Sequence, residues 1–205
     1  MPLDEKGRDE AKRIGKIFAD AGGVDYLISS DMLRARQTAA FIKNANPDAD
    51  GPLWAPKLQP WHLGEYEGQE TSKVIGKINA LMLTPDTKAP GKSPKSTAPG
   101  ETFNQFASRV LTLLRSLWEF SEEWREDRIV AVTHLRIIKL AEACINYGGL
   151  KDLHIHMETM QQDGEGPGSI FRVEKNKLVK VRIPNAMGLY LVRHGTTALN
   201  GRAAS

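Results

Sequence analysis

Two histidines stand where short apolar runs end. Leu189 to Val192 runs into Arg193, His194 and Gly195, and Ile129-Val130-Ala131-Val132-Thr133 runs into His134. A cation and an imidazole at the tip of a buried strand sit where open α/β sheets place their ligands. Gly195 allows a tight turn and keeps side-chain bulk away from a bound group, and Thr196, Thr197 and Asn200 add neutral donors. A third stretch, Ser29-Ser30-Asp31-Met32-Leu33-Arg34-Ala35-Arg36-Gln37-Thr38-Ala39, follows the apolar trio Tyr26, Leu27 and Ile28. Arg34 and Arg36 fall on different faces of the helix that begins there, so one of them points into the site. Together these residues suit an anion with several oxygens, most simply a phosphoryl group.

The chemistry follows from the residue types. Neutral imidazole is a competent nucleophile toward phosphorus, and His194 takes that role. Arg193 and Arg34 offer guanidinium forks that match phosphate oxygens, and His134 and Asn200 add donors to the same oxygens. The five histidines show no ligand spacing such as His-Glu-x-x-His, so neither a metal nor a cofactor is expected. Alone, His194 reads equally well as a satisfied core histidine; the second strand-end histidine and the arginines decide for a site. His154 and His156 read as exposed, and Arg36, Arg136 and Arg202 as solvated.

The elements that must position these groups alternate. Asp4 caps a helix through Ala11, Ile14, Phe18 and Ala21, which Gly22-Gly23 ends. A strand at Tyr26 to Ile28 precedes the Arg34 helix, which runs to about Lys43. Asn46 to Pro52 is rich in turn formers, and Trp54 to Leu58 reads as a short strand. Helices follow at Thr71 to Leu83, from an opening at Gly100-Glu101-Thr102 to about Trp124, and at Leu135 to Ile145; the last is apolar around most of its girth and so buried. Thr84 to Gly100 reads as a mobile surface loop. Ser169 to Glu174 and Leu178 to Ile183 read as strands joined by a tight turn. This alternation predicts one α/β domain over residues 1–205: a three-layer sandwich, mainly parallel sheet with helices on both faces.

Composition narrows the function. The net charge of +3 is too small to suggest nucleic acid as a partner. No run approaches the ~20 apolar residues needed to span a bilayer, and no secretory signal follows Met1 or Met187. Cys144 is the only cysteine, so no disulfide can form within the chain and a cytoplasmic location is expected. Nothing in the sequence speaks to oligomeric state.

The motifs also carry a resemblance. Leu-Val-Arg-His-Gly-x-Thr at 191–197, Ser-Ser-x-x-x-Arg-Ala-x-Gln-Thr-Ala at 29–39 and the strand-ending Thr133-His134 resemble the histidine phosphatase superfamily, also called phosphoglycerate mutase-like. Leu3 to Gly7, Gly64 to Gly68, Gly100 to Thr102 and Gly168 to Ile170 extend the likeness over nearly the whole chain. The resemblance implies catalysis through a phosphohistidine on His194, with Arg193, Arg34 and His134 around the phosphate.

The motif order differs, because that family opens with the Arg-His-Gly strand and this chain closes with it. The order is that of a circular permutation, or of a chain written in rotated order with Met187 as its natural start. Either case expects Ser205 and Met1 on one side of the molecule, near the pocket mouth. Two positions also depart from the family pattern. Pro60 stands where many relatives carry a glutamate proton donor, which leaves Glu65 as the favoured substitute, ahead of His62, Glu67 and Glu101. Leu135 stands where a glycine commonly follows the second histidine. The expected function is a metal-independent phosphomonoester hydrolase acting on a small phosphorylated metabolite. The alternatives are a phosphoglycerate mutase or a non-catalytic phosphate-binding protein.

Overall fold

The computed structural model describes residues 1–93, 100–123, 127–147, 166–175 and 177–197. In chain order the elements are α1 (Glu5–Asp20), β1 (Tyr26–Ser29), α2 (Leu33–Ala45), β2 (Asp50–Trp54), α3 (Thr71–Leu83), α4 (Phe103–Glu123), β3 (Arg128–Thr133), α5 (Leu135–Tyr147), β4 (Ile170–Glu174), β5 (Lys177–Val181) and β6 (Gly188–Arg193). The strands form a single sheet in the order β2-β1-β3-β6-β4-β5. The first four of these are mutually parallel, and β4 runs antiparallel to both β6 and β5.

The central strand β3 is buried along its whole length, which demands apolar residues on both faces. Its side chains alternate between two cores. Val130 and Val132 join Tyr190 and Val192 of β6 under Ile14 and Phe18 of α1 and Ala35, Ala39 and Ile42 of α2. Ile129 and Ala131 join Leu189 and Leu191 under α3, α4 and α5. The sandwich therefore has the three layers that the alternation of elements predicts.

Local chemistry explains the helix ends. The Asp4 carboxylate accepts the Gly7 N–H at 2.7 Å and caps α1. At the far end of α1 the Arg128 guanidinium is buried and donates to the Ala21 and Gly23 carbonyls, while the Arg128 N–H reaches Asp25. A cation there satisfies carbonyls that the helix leaves without partners.

Two expectations need correction. The strand placed at Trp54 to Leu58 lies instead at β2, because the Asp50 N–H already pairs with the Asp25 carbonyl at 2.7 Å. Pro52 is accommodated there since β2 is an edge strand. Pro56 to Leu58 form a 3₁₀ turn. The described part of the 84–100 segment is also tied down, against the expectation of a mobile loop. Pro90 accepts the Glu65 N–H, Ser93 donates to Glu67, and Pro85 and Asp86 bond Asn104. Ala89 is buried in the core.

Parallel strands bring their carboxyl ends to one edge. β1 pairs with β3, and β3 with β6, with Thr133 opposite Arg193. Ser30, His134 and His194 thus follow directly at one end of the sheet. Beyond β6 the chain presses its backbone onto α1. A Cβ on Gly7 would lie 2.0 Å from the Thr196 carbonyl oxygen, and one on Gly195 would lie 2.4 Å from the Gly7 oxygen. Leu3 and Thr197 form an antiparallel bridge beside this contact.

This close approach yields a paired prediction. Gly7→Ala should destabilise the protein by about 1–3 kcal/mol, because neighbouring backbone must move to admit the methyl. Gly76→Ala, in α3 with nothing within 4 Å of its Cβ position, should instead stabilise by about 0.5–1 kcal/mol. Urea unfolding of both variants measures this; equal effects would contradict the packing described.

Candidate active site

The strand ends meet as the sequence implied. The His134 and His194 rings lie 5.1 Å apart between centroids, tilted by 60°, and both residues are buried. Arg34, in the first turn of α2, bridges them. Its Nε–H donates to His194 Nε2 at 3.0 Å, and an Nη2–H donates to His134 Nδ1 at 3.2 Å.

The tautomers follow by elimination. Guanidinium is donor-only, so His194 Nε2 must accept. Its proton then sits on Nδ1, which donates to the Gly195 carbonyl at 2.7 Å. By the same reasoning His134 Nδ1 accepts, and its Nε2–H donates to Ser30 Oγ at 2.9 Å. The Thr38 hydroxyl donates to the Arg34 carbonyl and receives the Gly195 N–H. The helix that carries Arg34 is thereby pinned to the turn that carries His194. Glu10 of α1 accepts from both the N–H and the hydroxyl of Thr196 and holds the next residue of that turn.

Electrostatics keep both rings neutral. Burial first, then the Arg34 charge, lowers the His194 pKa to about 3. Arg193 and the amino terminus of the chain push it the same way, against the Gly195 bond. His134 is held well below its ordinary value by burial, then by Arg34, His194, Arg109 and Arg193. Burial also lowers the Arg34 pKa. Two neutral, fixed imidazoles thus stand among guanidiniums, each with one ring nitrogen, His194 Nε2 and His134 Nδ1, turned to Arg34 as acceptor.

The structure separates the other sequence candidates. Arg34 enters the site, whereas Arg36 lies over the Trp54 ring, 4.8 Å from its centroid. Arg193 is close enough to act on both imidazoles. Glu101 spends both carboxylate oxygens on Arg109, and one of them also takes the His62 N–H. Glu67 accepts from the Leu63 N–H and the Ser93 hydroxyl and lies 3.8 Å from His62 Nδ1. Glu65 is exposed, with its side chain against Gly91. Asn200, His154, His156, Arg202 and Ser205 lie outside the described residues.

Arg136 is a correction, since its Nη1 is buried without a partner and its guanidinium lies over Trp61. Ser30 and Thr38 were visible only as motif letters, and their hydroxyl bonds to residues more than a hundred positions away left no local signal. Among the described residues no cluster of three or more His, Cys, Asp or Glu side chains is arranged to hold a metal. No described helix is long and apolar enough to cross a membrane.

The sign of the pH response follows from the lowered histidine values. Below the ordinary imidazole pKa of about 6.5 the unfolded chain binds protons that the folded chain refuses. Stability should therefore decline as pH drops from about 6.5 toward the folded value. Denaturant midpoints across that window test this, and His194→Asn should flatten the slope. Carbon chemical shifts of the His194 ring that report protonation near the ordinary value would contradict the buried, Arg34-bonded geometry.

Comparison with known proteins agrees with the geometry. A model of the histidine phosphatase superfamily (branch 1) matches residues 1–161. Phosphoglycerate mutase-like protein 4 of Arabidopsis thaliana is 27% identical over 144 residues, covering 68% of this chain and 58% of that protein. The chain thus spans little more than half the length of that relative. The α-ribazole phosphatase of Shigella flexneri superposes with a TM-score of 0.60 at 18% identity, covering 91% of this chain and 86% of that one. A mycobacterial glucosyl-3-phosphoglycerate phosphatase solved with inorganic phosphate gives 0.59 at 20% identity, covering 91% and 88%. These two likenesses are of fold. With paired strand-end histidines on that fold and the family match over most of its length, the chain belongs to the histidine phosphatase superfamily, branch 1.

Proposed function

We propose that the protein is a metal-independent phosphomonoester hydrolase that acts through a phosphohistidine on a small phosphorylated metabolite. The observation that carries this reading is the orientation of His194. Its Nδ1–H is committed to the Gly195 carbonyl, so the Nε2 lone pair is the one turned toward Arg34 and His134.

In the first step Nε2 attacks phosphorus, a P–N bond forms and the ester P–O bond breaks. Arg34 Nε–H must then pass its hydrogen bond from the imidazole to a phosphoryl oxygen, and Arg193 takes another. His134, whose one N–H is held by Ser30 and whose Nδ1 accepts from Arg34, keeps that guanidinium in place instead of donating to the phosphate as its sequence position suggested. Asn200 is assigned the same phosphate-binding role. In the second step water attacks phosphorus, the P–N bond breaks, and inorganic phosphate leaves with the imidazole neutral again. Charge on the phosphoryl oxygens persists throughout, so positioning and electrostatics supply most of the acceleration.

The leaving oxygen needs a proton. Glu101 and Glu67 hold their carboxylates in bonds to donors. Among the described residues Glu65 has no such commitment, and it is the proposed donor. Phosphoryl transfer back to a second oxygen, as in a mutase, is the second reading, and the name of the Arabidopsis relative favours it. Appearance of 2-phosphoglycerate from 3-phosphoglycerate, in place of free phosphate, would select it.

Hydrolysis of p-nitrophenyl phosphate in chelator tests the main reading. His194→Ala should lose at least about 10³-fold in kcat/KM, and rapid acid-free quenching of the wild type should trap acid-labile phosphate on the protein. Equal turnover in wild type and variant would overturn the assignment, and absence of turnover across a broad substrate panel would leave a binding protein. Glu65→Gln should cost about 10²-fold or more on an alkyl phosphate and far less on p-nitrophenyl phosphate, whose leaving group needs little protonation.

The permuted order belongs to the same proposal. The Leu3–Thr197 bridge supports it, since it brings the two ends of the motif order side by side. In protein from its natural source, a tryptic peptide running from Ile183 to Arg193 would establish the order as written. A peptide joining Ser205 to Met1 would show rotation instead. A cytoplasmic setting rests on the lone Cys144 and is checked by cell fractionation.

A further inference from the structure

Trp61 and Phe106 stack with centroids 5.9 Å apart, and each ring carries an arginine. Arg109 lies over Phe106 at 5.2 Å and Arg136 over Trp61 at 5.9 Å. The two guanidiniums are treated in opposite ways. Arg109 uses all five of its N–H donors: two go to Glu101 and three to the carbonyls of Lys57, Gln59 and Pro60. Arg136 has no ion pair among the described residues, and its Nη1 is covered and unbonded. Burial draws its pKa down to about 10, so it remains a cation at neutral pH.

A covered cation without a counter-charge is costly, and proteins normally avoid it by pairing or solvation. Here the position of that cation is informative. Arg136 sits two residues beyond His134, in the first turn of α5, and Trp61 follows Pro60 directly in sequence. Arg109, which grips the Pro60 carbonyl, is near enough to act on His134. The residue as a whole is still partly exposed. Among the described residues no acidic side chain fills the role of partner, which leaves a ligand to supply the negative charge.

We propose that Arg136 is a second anion-binding residue, which takes a carboxylate or a second phosphoryl group that the substrate carries beside the phosphate attacked by His194. This deepens the phosphatase reading and rests on it for the place of the first phosphate. It narrows the substrates to phosphomonoesters with two oxyanionic groups. The planar fork of Arg136 suits either group, since both present paired oxygens.

Inhibition by non-hydrolysable phosphonates tests the proposal. Propylphosphonate supplies one anionic group. Phosphonoacetate, 3-phosphonopropionate and 4-phosphonobutyrate add a carboxylate at increasing reach, and methylene-, ethylene- and propylenediphosphonate add a second phosphoryl. Each is measured by competition against p-nitrophenyl phosphate and by calorimetry, in wild type and in Arg136→Met and Arg136→Lys. At least one doubly anionic probe should bind the wild type about tenfold or more tightly than propylphosphonate, the scale of one charge-assisted contact. That preference should vanish in Arg136→Met and return in part in Arg136→Lys, while propylphosphonate binds all three alike. The series that gains affinity tells carboxylate from phosphoryl.

A wild type without the preference overturns the proposal, and so does a preference that survives in Arg136→Met. If that variant fails to fold, the wild-type comparison and Arg136→Lys still decide. Should p-nitrophenyl phosphate resist hydrolysis while calorimetry shows the Arg136-dependent preference, the hydrolase reading fails and the subsite stands. Turnover without the preference gives the reverse.

Discussion

Arg34 offers N–H groups and no lone pair, so any imidazole that meets its edge must present an unprotonated nitrogen. It meets two. His194 and His134 are thereby each confined to one tautomer, with their remaining protons sent outward to the Gly195 carbonyl and the Ser30 hydroxyl. The same guanidinium also suppresses protonation of both rings. The tautomers of both imidazoles and, after burial, part of their neutrality therefore descend from one side chain held in one place. A lysine could match the charge but not the fork, whose two edges contact both rings at once.

Holding that side chain requires the fold. The parallel order β1-β3-β6 delivers Ser30, His134 and His194 to one edge of the sheet, and α2 then lays Arg34 across them. Because parallel strands are covered on both faces, the site sits at the seam of two hydrophobic cores. The turn after β6 lies against α1 with backbone touching backbone at Gly7 and Gly195. Glu10 and Thr38 then tie the turn from either side. His194 is thus followed at once by a tightly held turn.

Charge around the site is distributed unevenly. Acidic groups near it are spent on structure: Glu101 on Arg109, Glu67 on a backbone N–H and Ser93, Glu10 on Thr196, and Asp31 on Gln59. Arg34 and Arg136 keep their positive charge uncompensated by any of these. These carboxylates are occupied by other donors, and the modest net charge of the whole chain gives no hint of that local imbalance.

What the sequence settled was local. Apolar runs of strand length ending in Arg-His-Gly and Thr-His, an Asp4 cap and helical spacing in α1, α4 and α5 are read along one element at a time. They located both histidines and identified α2 as the source of an arginine. Choosing Arg34 over Arg36 took the partner surface, since periodicity gives a side chain's direction about its own helix and not what stands opposite. The same limit explains the misplaced β2, whose position is set by pairing with β1. It explains as well the 84–93 segment, polar in sequence yet anchored on the Gly64 turn, and Arg136, whose covering by Trp61 depends on a distant loop. Tautomers and proton affinities were decided last and entirely in three dimensions, because His194 and Arg34 lie 160 residues apart. A hydrogen bond over that separation exists only once the sheet has assembled.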